Sequence, residues 1–373
     1  MLDTLSTHHT IYRTKYRDVP WNVPTGVISF SYNLEPHSGQ KLFLLVSLLQ
    51  MLPNSIEPIV LSGNPQATRK MYEVASYPRA SALTILQLLK QSDFFIWGGG
   101  SLMQDTTSLA SPVYYAGLMA LAQQRGLKTI AWAQGIGPLK HSFSRWLTCN
   151  VLQGCTAISV RDRASAKLVA DWQLSPIIAP DPVWALESTP VEEDLFEDDR
   201  PKIAVTLRSH PLLTEQRLEL IIQALKTFQE ATNTFILLVP FQETKDLAIA
   251  QKLQQTLTNN SQIISLQDPR QLKGLFKNVA LTIGMRFHSL IMAAAENARC
   301  FALSYDPKVS QLMTEYQMPG WELSDLPEEV EAIARTWIEI YTQPNSIGKV
   351  TIKSLKDRAL IHQEILHNSL FSL

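Results

Sequence analysis

Residues 280–304 read ALTIGMRFHSLIMAAAENARCFALS, and this run decides the fold. The apolar stretch 280–284 has the length of a buried strand. The segment 289–297, rich in small and apolar residues, has the length of a short helix, and the β-prone stretch 300–304 follows it. A strand, a helix and a second strand in quick succession predict parallel strands joined by a crossover helix.

The same rhythm extends in both directions. Upstream, strands are expected at 27–31, 57–61, 94–97, 128–133, 157–160 and 177–179. Amphipathic helices are expected at 41–51, 81–91, 112–125, 143–152 and 164–172. After a break, strands are expected at 202–207, 234–241 and 262–266, with helices at 215–231, 244–258 and 271–277. Further helices are expected at 309–316, 328–340 and 353–367. The break, ESTPVEEDLFEDDRP at 187–201, is acidic, lacks apolar periodicity and ends in proline, so it reads as a linker. The expected fold class is therefore α/β, with two Rossmann-like domains facing a cleft, at 1–186 and 202–373. In such sheets ligands sit beyond the carboxyl ends of the strands, which directs attention to the residues that follow each strand.

Composition narrows the functions. A chain of 373 residues suits two cores better than one. With 45% hydrophobic and 18% charged residues it is globular rather than disordered. A formal net charge of -1 provides no general field for nucleic acid or an anionic membrane, so any anion must be held by a few placed cations. Cys149, Cys155 and Cys300 are odd in number and irregularly spaced, which argues against a disulfide framework and supplies no zinc pattern. Cys300 opens an apolar run and is expected to be buried. The opening MLDTLSTHHTIYRTKYRDVP has no apolar core of a secretory signal, and no run of about 18 apolar residues predicts a membrane span. A cytoplasmic setting is expected.

Five stretches follow strand ends and could carry chemistry. FFIWGGGSLMQD at 94–105 runs a strand into Gly98, Gly99 and Gly100. Their backbone can approach a ligand closely, and Gln104 and Asp105 could orient sugar hydroxyls or simply cap the next segment. AWAQGIGP at 131–138 ends in a second glycine turn, with Gln134 expected to point into the cleft. Both turns read equally well as tight packing of a helix onto the sheet. ISVRD at 158–162 places Arg161 beside Asp162, either to meet a ligand or to form an internal pair. KIAVTLRSH at 202–210 puts Arg208 just after a strand, where a guanidinium can grip a carboxylate or phosphate.

The fifth stretch is the opening one. After Gly284, Arg286, His288 and Ser289 precede or begin a helix whose N-terminus favours anions. Alternation along the chain predicts Arg286 and His288 on one side and Phe287 on the other, in the core. A buried arginine there would need a partner to offset its desolvation. A small acid carrying both a phosphate and a carboxylate would suit the group.

The phrases FFIWGGGSLMQD, YYAGLMALA, IAWAQGIGPL, ISVRDRAS, APDPVW and IGMRFHSL, in this order and at these separations, resemble the signature of the polysaccharide pyruvyl transferases, particularly the CsaB-type bacterial members. The resemblance runs from about Leu49 to about Tyr316. It implies two Rossmann-like domains of the glycosyltransferase B kind, an N-terminal acceptor side and a C-terminal donor side. It also implies phosphoenolpyruvate as co-substrate, with no further cofactor expected; the residues themselves present no metal cluster, so no metal dependence is expected. The acceptor would be a saccharide, lipid-linked acceptors included, with the enzyme in the cytoplasm or at the inner face of the membrane. Arg286 and His288 match the R-x-H motif that contacts the donor, and Arg208 matches a further donor-binding arginine. Where family members open with a loop resembling G-x-x-G-x-G-N-x-G-D-E, this chain has SYNLEPHSGQ at 31–40, with Gly39 its one glycine. That departure keeps open an inactive binding or scaffold protein. A nucleotide-sugar glycosyltransferase or epimerase is the other alternative. Such an enzyme would use a glutamate on the helix after the key loop; Glu296 occupies that helix and reads as its solvated end.

Overall fold

The computed structural model describes residues 25–32, 42–106 and 108–371. They divide into two compact units. The first comprises 25–32, 51–177 and 363–371; the second comprises 42–50 and 178–362.

The first unit is built on a seven-stranded sheet. Its strands are β1 (Thr25–Tyr32), β2 (Glu57–Ser62), β3 (Ala75–Pro78), β4 (Phe94–Trp97), β5 (Lys128–Gln134), β6 (Ala157–Val160) and β7 (Ile177–Ile178). Their spatial order is β3-β2-β1-β4-β5-β6-β7, and β1 pairs in parallel with both β2 and β4. All four residues of β4 are buried, as expected of a central strand covered on both faces. Phe95, Trp97, Met119, Ala131 and Val160 meet in this core, and the Trp97 indole donates to the Tyr115 carbonyl at 3.2 Å.

The second unit repeats the plan. Its strands are β8 (Lys202–Thr206), β9 (Phe235–Leu238), β10 (Ser261–Ile263), β11 (Val279–Gly284), β12 (Arg299–Ser304) and β13 (Gly320–Glu322). Their order is β10-β9-β8-β11-β12-β13, with every paired neighbour parallel. Helix Glu215–Thr232 covers one face with Leu218, Ile221, Ile222, Leu225 and Phe228, spaced three and four apart. The Thr214 hydroxyl caps its start, and Asn233 closes it in the left-handed region (φ 50°).

In both sheets the order reverses beside the first strand of the unit, between β1 and β4 and between β8 and β11. This is the Rossmann order, and the reversal is where such sheets accept ligands.

Two expectations change. Contacts place the boundary after Ile177 and give residues 42–50 to the second unit, so the expected limits at 186 and 202 do not stand. The segment 187–201 does not hang free as a linker. The Thr189 amide donates to the Arg270 carbonyl at 3.1 Å, and the Gln262 side chain holds Leu195 O at 2.9 Å and Glu197 N at 3.3 Å. These bonds satisfy backbone groups of the segment against the second unit. The atypical stretch 33–40 lies outside the described residues. Among the described residues no helix is long and apolar enough to cross a membrane.

Candidate functional site

At the reversal of the second sheet, Thr206 at the end of β8 lies in register with Gly284 at the end of β11. Arg208 leaves β8 and Arg286 leaves β11, so the two arginines emerge from neighbouring strands. The Thr206 and Ser289 hydroxyls bond at 2.7 Å, and Ser289 Oγ also donates to the Arg286 carbonyl at 2.7 Å. Ser289 is fully buried, and these bonds use its hydroxyl to tie the helix start to β8. Ser289, expected to contact a ligand, has its hydroxyl engaged by these two internal bonds. A Cβ at Gly284 would lie 2.9 Å from Thr206 Oγ1, so the close approach requires glycine.

Arg286 is fully buried and forms an ion pair with Asp246 through Nη2, with Nε donating to Oδ2 at 3.1 Å. Asp246 comes from helix Glu243–Thr256 and also accepts the Gln242 amide at 2.8 Å. The pairing answers the desolvation cost that the sequence poses. Nη1 of Arg286 is buried with no hydrogen-bond partner. Arg286 thus keeps one N–H edge uncommitted rather than a free fork.

Arg208 is half-buried. Its guanidinium lies 4.9 Å from the Tyr305 ring centroid, and Nη1 donates to the Tyr305 hydroxyl at 2.8 Å. Its Nε has no hydrogen-bond partner. His210 packs on the same ring at 4.7 Å. Burial pulls His210 below the usual imidazole range, and Arg208 adds to this against a smaller opposing effect of Asp306.

His288 occupies the first turn of helix Phe287–Ala295, which no side chain caps. It is 6% exposed, whereas its neighbour Phe287 is only half-buried. The expected sides are therefore reversed. Alternation belongs to strands, but β11 ends at Gly284 and Phe287 already starts the helix, so the period changes between them. The His288 ring lies 5.5 Å from the Phe43 centroid, and its Nε2 lies 3.5 Å from Asp181 Oδ2. That separation is within ion-pair reach, but Nε2 makes no hydrogen bond. Asp181, Asp246 and Phe43 escape sequence reasoning because each lies far along the chain from the R-x-H motif. APDPVW contains Asp181, and its aspartate before a proline is the one signal that could have flagged it.

Asp181 begins a tight turn, Pro182–Ala185, and its Oδ1 accepts the Val183 amide at 3.0 Å. Beneath the turn lies Lys273, fully buried, whose ammonium donates to the carbonyls of Val183, Trp184 and Leu186 at 3.0, 3.0 and 2.6 Å. Burial draws Lys273 down to about 7 against the pull of Glu296. Glu296 is not a solvated helix end. Its side chain is 9% exposed and stands 3.9 Å from each of Lys273, Lys277 and Lys356.

The candidate residues of the first unit gather separately, at the ends of β4 and β5. Gly100, at φ 125°, bridges to Gln134, and the Gly135 amide donates to its carbonyl at 2.8 Å. Gln134 is fully buried. Its amide nitrogen donates to the carbonyls of Gly98 (2.6 Å), Trp132 (2.9 Å) and Trp97 (3.3 Å), so it braces the glycine turn instead of reaching into a cleft. Gly99 lies between these two anchored glycines. Ala133 sits in the left-handed region at φ 48°, a strain of about 1–2 kcal/mol held by the Ser159 hydroxyl on its amide. Arg161 donates to Ser101 Oγ at 3.2 Å, and Asp162 caps the next helix through Ser165. Asp105 accepts the amides of Lys140 (2.7 Å) and His141 (2.9 Å). Burial pushes its carboxyl up, but those amides, with Ser144 and the His141 ring, bring it below the usual carboxylate range. Asp105 is therefore a cap, whereas the neighbouring Gln104 is half-buried.

The polysaccharide pyruvyl transferase family model matches residues 42–307, which span both glycine turns, Arg208, the Asp181 turn and the R-x-H motif. The chain belongs to this family. No curated protein sequence matches it significantly. Among solved structures, this pyruvyl transferase family member is similar to the UDP-GlcNAc 2-epimerase of Methanocaldococcus jannaschii, with a TM-score of 0.62 at 12% identity over 92% of this chain and 99% of that one. It is similar to the UDP-GlcNAc 2-epimerase of Neisseria meningitidis, solved with UDP-GlcNAc, with a TM-score of 0.59 at 10% identity over 93% and 99%. A glycosyltransferase from Rickettsia africae gives 0.55 at 12% identity over 94% and 96%. At such identities the likeness is one of fold, and it places the pyruvyl transferase chain in the glycosyltransferase B architecture.

Proposed function

We propose that this chain transfers the pyruvyl unit of phosphoenolpyruvate to a saccharide as a ketal, in the cytoplasm or at the inner face of the membrane. Membership of the family supports the reading. The observation that carries it is the emergence of Arg208 and Arg286, with His288 two residues on, from the two strands flanking the reversal of one sheet. Small anions are held by such groups beside a helix N-terminus.

In the proposed reaction the methylene carbon of phosphoenolpyruvate gains a proton and its neighbour becomes electrophilic. One sugar hydroxyl attacks that neighbour, phosphate departs, and a second hydroxyl closes the ketal. Arg208 contributes its stacked guanidinium to the donor anion, and Arg286 contributes Nη1 while Asp246 fixes its plane. His288 acts as the acid or as a donor to the departing phosphate. The pyruvyl unit comes from phosphoenolpyruvate, and the reaction calls on no other cofactor and no metal. The acceptor is a saccharide with two suitably spaced hydroxyls, free or lipid-linked.

The test is product analysis. Purified chain is incubated with phosphoenolpyruvate and a panel of saccharide acceptors, and ketal is sought by mass spectrometry beside phosphate release. Ketal in step with phosphate supports the proposal. Sugar transfer or epimerisation from a uridine-diphosphate sugar, with none from phosphoenolpyruvate, replaces it with the nucleotide-sugar reading.

A further inference from the structure

We propose that Asp181 and Lys273 are positioning residues for His288: Lys273 fixes the turn at 181–186, and the turn holds the Asp181 carboxylate against the imidazole. The role assigned to His288 rests on the proposed reaction, but the positioning does not.

The Lys273 ammonium has three N–H groups, and three carbonyls of one short turn take them. Glu296, at 3.9 Å, is too distant to be the main reason for a cation at full burial. Burying a charge is costly, and here the return is a turn with its carbonyls pinned. The turn is held from two further directions. Gln50 donates to Ala185 O at 3.0 Å and accepts the Glu187 amide at 2.9 Å, and His362 Nε2 bonds Pro180 O at 3.0 Å. Gln50 lies on helix Leu42–Met51, whose Phe43 packs on His288. Every fixture of the turn therefore bears on where Asp181 points, and Asp181 points at His288 Nε2.

The chemical consequence concerns which nitrogen works. A carboxylate facing Nε2 at 3.5 Å selects the neutral tautomer that carries its proton on that nitrogen. Nδ1 is then the nitrogen that exchanges protons with a ligand. A proton given up from Nδ1 leaves a neutral ring protonated at Nε2, still facing Asp181.

The experiment uses the full chain with ring-15N-labelled histidine, and the His288 signals are assigned by their absence in His288→Gln. The tautomer of the neutral ring is read for wild type, Asp181→Asn, Lys273→Met and Gln50→Leu, with Tm alongside. The proposal expects neutral His288 in wild type to carry its proton on Nε2. It expects Asp181→Asn to move the neutral ring towards the Nδ1 tautomer, and the other two variants to do so to a smaller extent. In the activity arm, Asp181→Asn lowers kcat at least tenfold with KM within twofold. If Lys273→Met does not fold, Asp181→Asn and Gln50→Leu decide. An unchanged His288 tautomer in folded Asp181→Asn overturns the proposal, even if Tm falls, because the role would then be structural. A changed tautomer in a chain that makes no ketal upholds the positioning and removes only the proposed reaction.

Discussion

Arg286 and Arg208 serve the same proposed anion in different ways, and substitution separates them. Arg286 is sealed beside Asp246, so Arg286→Ala strands a buried carboxylate. That loss is expected to cost about 3–5 kcal/mol of stability, read as a lower denaturation midpoint, in addition to any loss of turnover. Arg208 is half-buried on Tyr305, so Arg208→Ala is expected to keep Tm within a few degrees while raising KM for phosphoenolpyruvate about tenfold or more. His288→Ala is expected to lower turnover about 10²–10⁴-fold, beyond the lower Tm that loss of a buried ring packed on Phe43 brings. Lys273 gives a pH signature. Below about 7 it is protonated in folded and unfolded chains alike, and burial weighs in full. Between about 7 and 10.5 the unfolded chain binds the extra proton, so the Lys273 contribution to stability rises with pH across that window. Urea denaturation of wild type and Lys273→Met from pH 6.5 to 9.5 checks the sign. Glu296, Lys277 and Lys356 face Lys273, and they are common to both proteins. The residue types at Arg208, Arg286 and His288 are legible in the sequence because cations after strand ends are conspicuous. Their surroundings are not, because Asp181 and Asp246 reach them from distant turns and helices.

Elements with strong apolar runs are plain from sequence. The strands at Phe94–Trp97 and Ala157–Val160 have the expected limits, and the crossover helix at Phe287–Ala295 begins two residues early. The strands β3 and β13 and the helix Pro65–Tyr72 were not legible. β3 (ASYP) and β13 (GWE) lie at sheet edges, too short to develop an apolar period. The expected helix at 353–367 is two helices, Lys349–Ala359 and Ile361–Phe371, separated at Leu360. The acidic 187–201 segment misleads because its composition suits a free linker, while its backbone is docked. Gly274 tests that docking. A Cβ there would stand 1.8 Å from the Thr189 carbonyl oxygen, a backbone atom that cannot turn aside. Gly274→Ala is expected to destabilise the chain by about 1–3 kcal/mol, and protease cleavage within 187–201 should accelerate in the variant.

At the scale of the whole chain, two sheets of the same order carry different equipment. The first spends its glycine turns, Gln134 and Asp105 on bracing backbone. The second brings Arg208 and Arg286 to the reversal of its sheet, each with an uncommitted nitrogen, and sets His288 two residues on with its Nε2 facing Asp181. Two Rossmann-like units were readable from the alternation of strand and helix, since that pattern has few parallel-sheet solutions. Their membership was not, because residues 42–50 and 363–371 each pack in the unit opposite to their place in the sequence. Donor recognition is accordingly proposed for the second unit. Calorimetric titration of the full chain with phosphoenolpyruvate, and separately with UDP-N-acetylglucosamine, measures this most directly. Saturable phosphoenolpyruvate binding that weakens at least tenfold in Arg208→Ala, with no heat from the nucleotide sugar, is the predicted result; nucleotide-sugar binding with none of phosphoenolpyruvate would contradict it.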